Sequence, residues 1–101
     1  MRHITRQMAA STINLLPSSF DAHMVEKRML RLHTVAFAND ILEYASTDDP
    51  LTRFSNQFAR WLDATFQGQI HQTRKVASDN LGGAKTRNQE WEKANPQTPI
   101  T

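Results

Sequence analysis

The sequence contains no cysteine, which excludes disulfides, thiolate metal sites and cysteine nucleophiles. Small secreted domains commonly depend on disulfide staples, so a reducing cytoplasm is the expected compartment. Long apolar runs are missing as well. Nothing approaches the ~18 consecutive apolar residues of a membrane span, and no membrane partner is expected. The opening MRHITRQMAA has Arg2 and Arg6 but no apolar stretch after them, unlike a secretory signal. Residues 1–20 lack acids and carry two Arg and three Ser, a transit-peptide composition. A basic first helix of the domain is the preferred reading, because the segment runs through a turn into the next helix. Charge of one sign is scarce too: 12 basic against 10 acidic groups leave only +2. Ile, Leu, Val and Phe total 21 of 101 residues, close to the ~20% level at which disorder sets in. Disorder also requires a large net charge, so a small polar folded domain is expected.

What is present is unevenly placed. Residues 1–33 hold five basic and two acidic groups, residues 34–66 two and five, and residues 67–101 five and three. Two basic ends flank an acidic middle.

Helical periodicity dominates the first two thirds. Ile4, Met8, Thr12 and Leu15 or Leu16 recur every three to four residues, which predicts a helix over 4–16 ended by Pro17. Asp21 suits an N-cap, with Phe20 and Val25 in the two positions of a hydrophobic staple. A second helix over 21–33 follows, with Val25, Met29 and Leu32 as its apolar stripe and Lys27, Arg28 and Arg31 as its basic face. The stripe loses phase near His33, so a third helix is placed at 35–46, with Thr34 as its cap. Asp49 and Pro50 start a fourth helix, 50–67. Leu51, Phe54, Phe58, Trp61, Leu62 and Phe66 fall on one of its faces, and Gly68 closes it. From Ile70 the pattern changes to weak alternation, turn chemistry at 78–83 and a second strand or irregular stretch ending on Trp91. The expected fold is therefore mainly α: four helices followed by a short C-terminal β-hairpin or irregular segment. One domain over 1–94 and a flexible tail over 95–101 complete the reading.

Several motifs imitate chemistry and fail. Gly82-Gly83-Ala84-Lys85-Thr86 lacks the glycine directly before the lysine that a phosphate loop needs, and carries Asp79 where an earlier glycine belongs. Ser78-Asp79-Asn80 matches one β-lactamase element without its partner motifs. His23 and Glu26 share a helix face, but a metal needs three or four ligands and His3, His33 and His71 supply no matching pairs. The acids sit at caps, on polar helix faces or near the end of the chain, so no acid–base pair is indicated. No enzymatic activity, cofactor or metal is expected.

Two resemblances rest on the remaining residues. Phe20, Asp21, His23 and Val25, followed much later by Ser78, Asn80, Gly82 and Trp91, resemble an F-D-x-H-x-V start and S-x-N-x-x-G…W finish found in a family of small uncharacterised bacterial proteins, with Gly82 one position ahead of the pattern's glycine, which Gly83 fills. This likeness spans about residues 15–93 and implies that 16–25 and 78–91 belong together. The succession of helix, turn, helix and late hairpin also resembles winged helix-turn-helix domains. That resemblance implies that the helix after the turn enters the major groove and that the hairpin touches the DNA backbone. The helix in that place, 35–46, departs from it: it holds Asp40 and Glu43 and no Lys or Arg, a poor match to a polyanion.

A non-enzymatic binding protein is the functional expectation. Nucleic acid would be held by Arg74, Lys75, Lys85 and Arg87 around the hairpin, with Lys27, Arg28 and Arg31 extending the surface. The alternative is a protein-interaction module acting as inhibitor, adaptor or regulator. In its simplest form the acidic middle of one copy meets the basic end of another, giving a homo-oligomer.

Overall fold

The computed structural model describes all 101 residues. Helix α1 (Arg6–Ile13) is followed by strand β1 (Ser19–Asp21), helices α2 (Ala22–Leu32), α3 (Thr34–Leu42) and α4 (Pro50–Thr65), and strands β2 (Ile70–Asp79) and β3 (Lys85–Lys93). The strands form one antiparallel sheet in the order β1-β3-β2. The mainly α expectation is thus corrected to a mixed fold, four helices with a three-stranded sheet.

The physical reason is that β1 has no local strand signal. Its three residues adopt extended backbone because Phe20 pairs with Trp91 and Asp21 with Glu90. The same residues act as the staple and cap of α2, so capping chemistry and strand pairing share one stretch. Asp21 accepts the Met24 N–H at 2.9 Å, and Phe20 and Val25 are both buried. The hairpin is also longer than a short appendage. Most of its side chains are exposed, which is why alternation in the sequence is weak.

The four helices lie close to their expected places, with shifted ends. Thr5 caps α1, accepting the Met8 N–H at 3.2 Å. The break between α2 and α3 falls at His33, but Thr34 does not cap α3. Its hydroxyl donates back to the Leu30 carbonyl at 2.6 Å. Asp49 caps α4 from a left-handed conformation, with Pro50 in the first turn. Gly68, at φ +89°, turns the chain from α4 into β2.

The core gathers Phe37 of α3, Phe54, Phe58 and Leu62 of α4 and Phe66, joined to Val25 and Met29 of α2 and to Phe20 and Trp91 of the sheet. Phe37 meets Phe54 and Phe58 edge-on, with ring centroids 5.1 and 5.8 Å away. Such contacts add about 0.5–1.5 kcal/mol each beyond area burial. The aromatic stripe of α4 is thereby consumed inside the protein. It leaves Leu51 exposed and Trp61 half-buried.

Asp40, read as a polar-face acid, is buried. It accepts N–H bonds from Arg2, His3 and Ile4 and a bond from the His3 ring. Burial opposes its charge, but these donors outweigh burial and hold its pKa below the ordinary value. Residues 95–101, expected as a flexible tail, return to the body. Ile100 is buried, and its N–H and C=O pair with the Asn14 side chain at 2.8 and 3.0 Å.

Candidate functional site

A cleft of about 770 Å³ opens between α4 and the hairpin, with the start of α2 at one end. From α4 it is lined by Thr52, Ser55, Asn56, Ala59, Arg60 and Asp63, and from the hairpin by Gln72, Lys75, Thr86, Arg87, Asn88 and Gln89. Thr52, Asn56 and Arg60 are spaced four residues apart and all are exposed, so they form one polar stripe along α4. The buried aromatic stripe of Phe54, Phe58 and Leu62 lies on another side of the same helix. One helix therefore carries both the core and the cleft wall.

Strand pairing explains the opposing wall. Lys75 pairs with Gln89 and Ala77 with Arg87 in the antiparallel register, and paired residues point to the same side of a sheet. Between Gln72 and Lys75 the register shifts. The bulge re-aims the strand, and Thr73 and Arg74 turn to Glu90 instead. Thr73 donates to the Glu90 carboxylate at 2.7 Å, and Arg74 meets the same oxygen at 3.2 Å.

A polar cluster ties the cleft's end together. Asn88 accepts the His23 N–H at 3.0 Å and donates to the Val76 carbonyl and the Ser78 hydroxyl, both at 3.1 Å. His23 Nδ1 lies 2.9 Å from Ser78 Oγ. Burial holds the His23 pKa below its ordinary value, against the opposing pull of Asp21. At the turn, Asn80 Oδ1 accepts the Ala84 N–H at 3.0 Å. Trp91 Nε1 donates to Asp63 at 3.0 Å, which occupies one of the cleft's few carboxylates. The motif residues Phe20, Asp21, His23, Val25, Ser78 and Trp91 thus cap, pack or brace the junction of α2 with the hairpin, while Asn80 closes the hairpin turn. Gly82 lines the cleft at the turn.

Glu26 lies on the cleft's inner wall and is almost wholly buried. The Ser55 hydroxyl donates to its Oε1, while Oε2 has no partner. Burial raises its pKa to about 7, and the Ser55 bond only partly offsets this. No three His, Asp or Glu side chains converge in a metal-binding group.

The structure brings Lys75 and Arg87 together at the cleft. It leaves Arg74 paired with Glu90, and Lys85 beyond the lining near the hairpin tip. Lys27, Arg28 and Arg31 on α2 do not line the cleft. Sequence reasoning missed Arg60, Asn56 and Thr52. Their signal was present in the four-residue polar spacing of α4, hidden behind the stronger aromatic stripe of the same helix. No family model, curated protein or solved structure matches this chain.

Proposed function

We propose that this protein binds duplex DNA, with the Thr52–Asn56–Arg60 face of α4 in the major groove and the hairpin along the flanking phosphates. The observation that carries this reading is the cleft itself. It sets Arg60 on one wall opposite Lys75 and Arg87 on the other. Asp63 beside them is engaged by Trp91, and Asp49 caps the Thr52 N–H. A major groove about 12 Å wide admits an α-helix, and Asn and Arg are the side chains best matched to adenine and guanine edges. Lys and Arg opposite would fix register on the backbone.

The long helix directly before the hairpin and the short strand closing on it support the resemblance to winged helix-turn-helix domains. The helix that would read the groove is then α4 and not the acidic segment 35–46. Asp40, the main objection to that segment, is an internal clamp.

Fluorescence anisotropy of a labelled mixed-sequence duplex tests the reading. The two cleft cations set at the phosphates, Lys75 and Arg87, predict that log K falls against log salt with a slope of about −2. Lys75→Glu with Arg87→Glu should remove binding. Arg60→Ala should weaken it by roughly 10-fold or more, the range expected for one lost arginine–guanine contact. Arg74→Glu, outside the cleft, should have a much smaller effect. Undiminished affinity in the Lys75/Arg87 variant would refute the assignment.

A further inference from the structure

Glu26 carries the one buried side-chain oxygen that finds no partner. The residue is 1% exposed and lies on the cleft's inner wall. Its Oε1 accepts the Ser55 hydroxyl, while Oε2 meets no donor from anywhere in the chain. A buried polar atom left in this state is rare and calls for an explanation. The neighbouring groups supply none. His23, three residues earlier on α2, is engaged with Ser78 through its ring and with Asn88 through its N–H. Lys27, the next residue, is exposed.

The flanks of the carboxyl are built from small side chains. Ala22 precedes Glu26 by four residues on α2, and Ala59 follows Ser55 by four on α4, and all four residues line the cleft. The cleft's volume, about 770 Å³, lies in the ~300–1,000 Å³ range of ligand pockets. Lys75 and Arg87 on the hairpin wall are exposed and suit an anion. An occupant that satisfies both features has an anionic end and a hydrogen-bond-donating end. A nucleotide whose base bears an amino group has both. Inside a duplex that base is held in the stack, whereas an unpaired nucleotide swings out at little cost.

We infer that the inner wall of the cleft is a pocket for one unpaired, amino-bearing nucleotide, with its phosphate at Lys75 and Arg87 and its amino group donating to Glu26 Oε2. The inference rests on the DNA-binding reading of the same cleft and adds a site that a fully paired duplex does not fill. Cytosine is the apt probe, because Glu and Asp accept from its N4 amino group, whereas thymine presents a carbonyl oxygen at the equivalent place. Burial raises the Glu26 pKa to about 7, so at pH 8 the carboxylate is ionised and acts only as an acceptor.

Anisotropy titrations of the full chain at pH 8 with three labelled DNAs test this: a paired duplex, the same duplex with one bulged cytosine, and the same with one bulged thymine. The cytosine bulge should bind about tenfold tighter than the other two, the gain of one hydrogen bond to a charged acceptor. In Glu26→Gln the cytosine-to-thymine ratio should fall to about one, because the amide keeps an oxygen for Ser55 and turns a donor toward the base. The ratio is taken within one variant, so a change in its stability cancels. Equal affinity for the two bulges on the native chain, or a ratio that survives Glu26→Gln, would overturn the pocket. If the paired duplex still bound with its salt dependence and its need for Lys75 and Arg87, the duplex reading would stand without the pocket. Failure to bind any of the three DNAs would overturn both.

Discussion

At the root of the β2–β3 hairpin, Ile70 and Trp91 are buried, and Phe20 of β1 pairs with Trp91 with ring centroids 5.8 Å apart. At its tip, every residue from Gly82 to Arg87 is exposed. The same two strands thus serve two purposes within one element. The root is held by apolar burial and one indole hydrogen bond, and so belongs to the core. The tip is held by the strand ladder and by the Asn80 side chain closing the turn, and it presents cations. A region stabilised chiefly by backbone bonds and few buried contacts opens more easily than the core and tolerates changes of side chain.

The largest break in this contrast should come from Trp91→Ala. It removes a fully buried indole, the Phe20 contact and the bond to Asp63. The expected loss is about 3–5 kcal/mol, read as a lower urea midpoint. A loss below about 1 kcal/mol would mean that the sheet's root is not part of the cooperative core.

Glu26 sharpens the comparison, because it sits at the buried wall of the cleft rather than at its exposed rim. The unfolded chain ionises it near 4.5, whereas burial raises the folded value to about 7. Below about pH 4.5 it is neutral in both states. Between 4.5 and 7 the unfolded state releases its proton first, so stability falls as pH rises. Above about 7 the loss is complete, at ~3 kcal/mol. Glu26→Gln should abolish this dependence and make the protein more stable than the parent at pH 8, with little change at pH 4. Urea melts of both proteins across that range provide the check. Parallel pH profiles would show that the ionised carboxylate is well solvated in the fold.

The helices were legible because their signals are local. Asp21, Asp49 and Pro50 mark starts, Pro17 and Gly68 mark stops, and the α4 stripe is long enough to stand out. The turn expected at 78–83 was legible for the same reason, although Ser78 and Asp79 close β2 through pairing with Thr86 and Lys85. β1 was not, because three residues become a strand only through a partner some seventy positions away. Asp40 was misread because its donors, the N–H groups of residues 2–4, come from the far end of the chain. The cleft was half legible. Lys75 and Arg87 are conspicuous as charges, but the bulge that separates Lys75 from Arg74 leaves no mark in composition. Arg60 was overlooked because a helix with a strong core face was credited with that face alone.

The smallest expected effect lies at the hairpin tip. Gly83 adopts φ +85°, and a Cβ there would meet nothing within 4 Å. The cost of Gly83→Ala is therefore purely conformational, about 1 kcal/mol. Gly83→Asn should cost less, since asparagine tolerates the left-handed region. Gly82 differs: an added Cβ would lie 3.4 Å from Asn80 Oδ1, an ordinary contact, and Gly82→Ala should be nearly neutral. Urea midpoints of the three variants at one pH would rank them. If Gly83→Ala destabilised the protein as much as Trp91→Ala, the turn would be nucleating the register of the whole sheet. The tip would then be part of the cooperative core, and the division of labour along the hairpin would fail.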